Sequence, residues 1–175
     1  MKTGSGSKEI GAPRIAGQNP WYEKRQLQNF KAGIRGTKPE DTFGAVMRPM
    51  ALTLVTDQDV VDVIAYFDTL KPEILPQTVQ GGDATKGKET YAICAACHGE
   101  DGNGSPTNAS WPKLAGQHAG YIVKQLSEYK SGERKDATMN AMAAPLSEQD
   151  MADLAAFYAT QEIKVGLAAE DKVEL

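Results

Sequence analysis

Apolar residues recur at helical spacing in four stretches of this chain of 175 residues, and no stretch shows the period-two alternation of a β-strand. The predicted helices run over about Trp21–Ala32, Thr56–Leu70, Gly120–Ser131 and Ser147–Gln161. The first and third are each followed or ended by a glycine, and the second and fourth begin with a hydroxyl three residues before a carboxylate, which is a capping box. A fifth, shorter helix is expected over residues 87–91. The pattern therefore predicts an all-α fold.

The chain repeats itself. Residues 13–18 (PRIAGQ) return as residues 112–117 (PKLAGQ), and the match continues through the following helix at an offset of 99. After a longer loop in the first copy, Met47 and Met50 match Met139 and Met142 at an offset of 92. We therefore expect two tandem domains, at residues 1–71 and 84–163, with a Pro- and Gly-rich linker at 72–83 and a tail at 164–175 that is frayed from Val165. The aromatic pairs Tyr66/Phe67 and Phe157/Tyr158 are expected in the core between the first and last helix of each copy.

The candidate chemistry lies in residues 94–98 (CAACH), which hold both cysteines of the chain. Two cysteines three apart, followed at once by a histidine, form the attachment pattern of c-type haem: the thiols add to the vinyl groups and the imidazole binds the iron. The competing interpretation is a redox disulfide next to an unrelated histidine, but such a dithiol does not need the histidine. Cys94, Cys97 and His98 are thus predicted to bind one covalent haem per chain.

Charge restricts the class of partner. The net charge of −4 argues against nucleic acid, and no run of 18 apolar residues is present to span a membrane. Residues 1–80 carry 10 basic and 9 acidic residues, giving +1, whereas residues 81–175 carry 9 and 14, giving −5. A docking surface for a basic partner is therefore expected on the second half, unless these acids simply form a solvated surface.

The first copy lacks an attachment motif. His98 lies 14 residues before Pro112, and the corresponding position precedes residue 1. No apolar stretch of an export signal is found in residues 1–20, although c-type haem is attached outside the cytoplasmic membrane. Two explanations remain: a fragment of a longer two-haem protein, which we expect, or a first copy that has lost its haem. If the chain is such a fragment, the first copy should be the less stable, with Tyr22, Leu27, Phe30, Met47 and Met50 poorly covered.

The sixth ligand of the iron decides between an electron carrier and a catalyst, because a bound thioether leaves no position for substrate. His118 is expected to lie exposed at a helix start, and Met151 to lie in the core. That leaves Met139 and Met142, both expected on an extended loop before the last helix. Their spacing does not distinguish between them.

Five further residues are candidates for the surroundings of the haem. The carbonyl of Pro112 is placed to accept the second ring N–H of His98 and so fix its tautomer. Tyr121, Gln125 and Leu126 fall on one stripe that would wall the porphyrin, and Arg134 would pair with a propionate. Each of these residues also has an ordinary explanation in helix packing or surface exposure.

These motifs resemble class I cytochromes c, and specifically the diheme cytochrome c4 family. The resemblance rests on residues 94–99 (CAACHG), 112–117 (PKLAGQ) and the segment from Met139 to Ser147. It implies two similar domains about a pseudo-twofold axis, Met139 as the sixth ligand with Met142 at the haem edge, and a periplasmic electron carrier that is not an enzyme. The implied partners are redox proteins such as a terminal oxidase or a quinol-oxidising complex. The alternatives are a cytochrome subunit of an oxidase or dehydrogenase, and a haem peroxidase or sensor.

Overall fold

The fold was analysed in a computed structural model that describes residues 3–73, 79–105, 108 and 111–164. The described part is helical, with two isolated β-bridges and no β-strand. Its helices are α1 (Pro20–Lys31), α2 (Thr42–Leu52), α3 (Asp57–Asp68), α4 (Ala84–Tyr91), α5 (Ala95–His98), α6 (Ala119–Ser131), α7 (Ala137–Ala143) and α8 (Glu148–Thr160). The all-α prediction is confirmed. The predicted fraying from Val165 concerns residues outside those described.

The helix ends follow from the local sequence. Thr56 and Ser147 form the two predicted capping boxes with Asp59 and Asp150, so α3 and α8 begin where the sequence predicts. Gly132 ends α6 in the left-handed conformation, with φ of 76°. That conformation is open to glycine at no steric cost, which explains why the helix stops there.

The prediction of an extended loop before α8 is wrong, because a helix occupies that position, and the first half has a helix at the equivalent position. Met47 and Met50 lie on α2, and Met139 and Met142 lie on α7. Each of these helices starts at an aspartate whose carboxylate accepts a backbone N–H: Asp41 from Gly44 at 2.8 Å and Asp136 from Met139 at 3.1 Å. An aspartate at this position satisfies a donor that would otherwise be unpaired and so favours the helix.

The second half contains the larger core. Tyr91 of α4 packs against Phe157 and Tyr158 of α8, with ring centroids 4.9 and 5.3 Å apart. Met151 is 3% exposed in the same cluster, as expected. A Cβ added at Gly87 would clash with the carbonyl of Asp153, so the glycine is what allows α4 and α8 to cross so closely.

The first half has a smaller core, formed by Leu27, Phe30, Ala51, Val60 and Ile64. The prediction that Leu27 and Phe30 are poorly covered is wrong, because α1 packs them against α2 and α3.

The surface of the first half nevertheless keeps exposed apolar side chains. Met50 is 57% exposed, and Tyr66 is 56% exposed where its counterpart Phe157 is 5% exposed. Tyr66 was expected in the core. It is exposed because the described first half has no counterpart of α4 to cover α3.

A buried carboxyl group also distinguishes the first half. Glu23 is 7% exposed at the position that apolar Ile122 occupies in the second half, and one of its carboxylate oxygens has no hydrogen-bond partner. Burial raises the pKa of Glu23 to about 8, and the charge of Asp68 acts in the same direction. Arg14, which is 2% exposed, partly opposes the shift. Burial in turn lowers the pKa of Arg14 to about 10.

The two halves meet through reciprocal hydrogen bonds. Gln117 Oε1 accepts the backbone N–H of Arg14 at 2.7 Å, and Gln117 Nε2 donates to the Arg14 carbonyl at 2.9 Å. Gln18 makes the same two bonds to Lys113, at 2.7 and 2.9 Å. Gln117 and Lys113 lie 99 residues after Gln18 and Arg14, so the contact follows the offset of the sequence repeat.

His118 lies at the start of α6, which confirms its predicted position, but the prediction that it is exposed is wrong because it takes part in this contact. It is 4% exposed, and its Nε2 lies 2.8 Å from the carbonyl of Ser5 in the first half.

Candidate functional site

The site begins at the junction of α4 and α5. Asp83 caps α4 through its side chain, which accepts the N–H of Thr85 at 2.9 Å, while its own N–H donates to Asp153 at 2.7 Å. Together with the close crossing at Gly87, this contact fixes α4 on α8. The attachment segment that follows α4 therefore starts from a rigid element.

Cys94, Cys97 and His98 lie within one helical turn. The backbone N–H groups of Cys97 and His98 both donate to the carbonyl of Cys94, at 3.1 and 3.0 Å. Both thiols are free and half-buried, and Cys94 packs against the second-half core. Burial raises the pKa of Cys94, and the neighbouring Cys97 adds to that shift. The turn presents two cysteine sulfurs three residues apart with an imidazole beside them.

His98 is held in a single orientation. It is 6% exposed, and its Nδ1 lies 3.0 Å from the carbonyl of Pro112. Burial lowers the pKa of His98. A neutral imidazole whose Nδ1 donates to a carbonyl has its lone pair on Nε2, which is the form that binds a metal.

The donor set fits the group that the motif implies. Two free thiols with the spacing for thioether attachment, and an imidazole whose Nε2 carries the lone pair, are what covalent haem c requires. Of the residues predicted to wall the porphyrin, Gln125 is buried, and Tyr121 and Leu126 are half-buried on α6. Leu126 packs against the same core as Cys94.

Arg134 lies in a buried polar cluster between the halves. Its guanidinium donates to Gln125, to Tyr22 Oη at 2.9 Å and to Gln26 Oε1 at 2.9 Å. Arg35 mirrors this arrangement, donating to Gln26 at 2.8 Å and to Gln125 at 3.2 Å. These described hydrogen-bond partners are all neutral.

The pKa values in the cluster follow from burial and from the two arginines. Burial alone would lower the pKa of Arg134, but the hydroxyls of Tyr22 and Tyr129 outweigh it and raise this pKa. For Tyr22, burial alone would raise the pKa, but Arg134 and Arg35 outweigh it and lower it. The cluster therefore favours the charged form of Arg134.

The sequence analysis missed the first-half members of this cluster: Tyr22, Gln26 and Arg35. Their signal was present, since Gln26 and Arg35 are matched by Gln125 and Arg134 at the repeat offset of 99. Identical polar residues at equivalent positions of two copies indicate a contact about the axis that relates the copies.

The candidate methionines lie on a different element from the attachment turn. Met139 and Met142 are both half-buried on α7, which leads into α8. Their spacing of three residues places them one turn apart on nearby faces of the helix.

Comparison with known proteins gives a consistent result. The family described as Cytochrome c matches residues 84–162. Cytochrome c4 of Pseudomonas aeruginosa is 46% identical over 87 residues, which cover 50% of this chain and 42% of that protein. The chain thus spans less than half the length of this relative.

Two solved structures resemble both halves of the chain. Reduced cytochrome c4 from Pseudomonas stutzeri superposes with a TM-score of 0.73 and 31% identity, over 90% of this chain and 89% of that structure. The thiosulfate dehydrogenase of Marichromatium purpuratum superposes with a TM-score of 0.78 and 32% identity, over 91% of this chain but 35% of that protein.

Proposed function

We propose, from the premise that this chain belongs to the cytochrome c4 family of class I c-type cytochromes, that it carries single electrons in the periplasm and is not an enzyme. Its cofactor is covalently bound haem c. The observation that carries the proposal is the contact between His98 Nδ1 and the carbonyl of Pro112, beside two free thiols. It leaves Nε2 as the ligand atom in a turn that holds both attachment sulfurs.

When bound, the haem supplies a reversible exchange of one electron at iron. The residues of this chain bind the haem and surround it. Cys94 and Cys97 would anchor the porphyrin, His98 would provide one iron ligand, and Met139 would provide the other, with Met142 as the alternative. A thioether in the sixth position favours the ferrous state and leaves no site for substrate. Tyr121, Gln125 and Leu126 would exclude water from the porphyrin, and Arg134 would pair with a propionate.

The domain boundaries form part of the proposal: a partial domain at 1–71, a linker at 72–83, a haem domain at 84–163 and a tail at 164–175. Close packing of α4 on α8 supports 84–163 as a unit. In the described residues no helix is long and apolar enough to cross a bilayer.

The test measures the number of haems per chain and the number of electrons that each chain exchanges. The chain, exported in a host that attaches haem c, should carry one haem in a pyridine haemochrome assay and titrate as a one-electron couple. Cys97→Ala, which removes one of the two thioethers, should shift the haemochrome band. Two haems per chain, or turnover of a substrate by the purified protein, would contradict the proposal.

A second candidate is an electron-accepting domain within a sulfur-oxidising dehydrogenase. It is favoured by the similarity to the thiosulfate dehydrogenase, which extends over 91% of this chain. Stopped-flow mixing distinguishes the two roles. Faster reduction by a thiosulfate dehydrogenase with thiosulfate than by a quinol-oxidising complex supports this candidate, whereas the reverse order, with oxidation by a terminal oxidase, supports the general carrier.

A further inference from the structure

The side chain of Asn140, which follows Met139 on α7, makes hydrogen bonds with the backbone of three other residues. Its Oδ1 accepts the N–H of Asp136 at 2.9 Å, and its Nδ2 donates to the carbonyls of Tyr129 at 2.6 Å and Arg134 at 2.8 Å. Tyr129 belongs to the last turn of α6, and Arg134 lies in the loop between α6 and α7. One side chain thus joins the end of α6, the loop and the start of α7.

Helix α7 packs on α6 and buries Ala143 completely, and two further hydrogen bonds lie at or beyond its ends. The Asp136 carboxylate caps it through the N–H of Met139, and beyond α7 Lys130 Nζ donates to the carbonyl of Leu146. The helix has seven residues, which is too short to be stable without tertiary contacts. Its position therefore depends on tertiary contacts, and the three bonds of Asn140 are among them.

The first half provides an internal comparison. The repeat places Arg48 at the position of Asn140, and the buried Nε of Arg48 has no hydrogen-bond partner. On that helix Met47 is 37% exposed and Met50 is 57% exposed, whereas Met139 and Met142 are half-buried. The half with the asparagine clamp is the half in which both methionines are half-buried.

We propose that Asn140 is the positioning residue for the methionine ligand: it holds α7 against the end of α6 so that the Met139 sulfur stays within bonding distance of the iron. The inference rests on the proposed function, since it assumes His/Met ligation. Asn140 does not touch the reacting atoms. It acts through the backbone of its neighbour.

Removal of the clamp should let α7 move away while the rest of the domain stays folded. Asn140→Ala loses all three bonds, and Asn140→Asp keeps the acceptor oxygen but loses both bonds donated by Nδ2. Each lost bond leaves a carbonyl or N–H without its partner. An external ligand that competes with the sulfur then binds more tightly, because less of the protein population holds the methionine in place.

The experiment is an imidazole titration of the ferric, haem-loaded full chain. The titration is monitored through the sulfur-to-iron absorption near ~695 nm, the expected mark of His/Met ligation. For both variants we expect the imidazole affinity to rise at least about tenfold and the absorption to disappear at a temperature below global unfolding. Asn103→Ala is the matched control, since Asn103 also bridges backbone, to Glu162 at 2.8 Å and Lys164 at 2.8 Å, away from α7.

The outcomes separate the two proposals. If the unmodified protein lacks the absorption near ~695 nm, His/Met ligation and the function built on it are wrong. If it shows the absorption and both Asn140 variants bind imidazole within twofold of it, the positioning role is wrong while the function stands. A gain in affinity in Asn103→Ala equal to that in the Asn140 variants would also overturn the inference, because general destabilisation would explain both.

Discussion

The side chain of Gln117 hydrogen-bonds to both the backbone N–H and the carbonyl of Arg14, and the two residues belong to different copies of the repeat. Both are buried, so water cannot replace the bonds without opening the contact between the halves.

Gln117→Ala should therefore destabilise the chain by about 2–4 kcal/mol, because two buried backbone groups lose their partner. Urea unfolding measures this change. Gln58→Ala is the control, since Gln58 is exposed and bonds within its own helix at 2.7 Å, and it should cost less than about 0.5 kcal/mol. Equal losses in the two variants would show that the Gln117 bonds contribute no more than a surface contact.

Glu23 should make stability depend on pH. Its pKa is about 8 in the folded chain and near 4.5 when unfolded, so the folded state holds the proton more tightly. The stabilisation is fully present below about pH 4.5 and is lost as the pH rises through 8. The loss amounts to a few kcal/mol at most, at about 1.4 kcal/mol per pKa unit.

Glu23→Gln tests this linkage, because it keeps the shape but not the titration. The difference in unfolding free energy between the variant and the unmodified chain should grow in favour of the variant from pH 5 to pH 8. Glu23→Ile introduces the residue found at the equivalent position of the second half. Its difference in unfolding free energy should change with pH in the same direction. A difference that does not change with pH would contradict the burial argument.

Met139→Ala should abolish the absorption near ~695 nm and lower the reduction potential, because the remaining ligands stabilise ferrous iron less. Met142→Ala should retain the absorption and serves as the control one turn away. Spectra of the ferric variants and a potentiometric titration measure both effects. The opposite pattern would make Met142 the ligand.

The two halves should differ in local stability. Among the described residues, the core cluster of the first half has five buried members and that of the second half has nine, and the haem adds apolar surface to the second. Amide hydrogen exchange should be faster by orders of magnitude in the first half. Equal protection would mean that the first half has its own sufficient core and does not depend on the second.

The parts of the fold and site that the sequence predicted are those with local causes. Helix starts at Thr56 and Ser147 depend on side chains within three residues, and the attachment turn is contiguous from Cys94 to His98. The contact of His98 with Pro112 was also predicted, because Pro112 follows the attachment loop and its carbonyl can accept the second ring N–H.

Features that depend on contacts between the copies were missed. His118 is buried because Ser5 of the first half covers it, and no local pattern contains that information. The helical state of residues 137–143 was missed for a different reason: the cap at Asp136 is local, but seven residues show too little periodicity to be recognised.

The reciprocity of the Gln18 and Gln117 bonds has a consequence for assembly. A surface that pairs with its own repeat about a pseudo-twofold axis is self-complementary, because each copy carries both the glutamine and the backbone it binds. The Gln117 side chain of one second half is suited to bind the Lys113 backbone of another second half, and the reverse pair of bonds forms in the same way. Separated from its partner, the second half would therefore expose an isologous dimer surface, and its association state would depend on concentration.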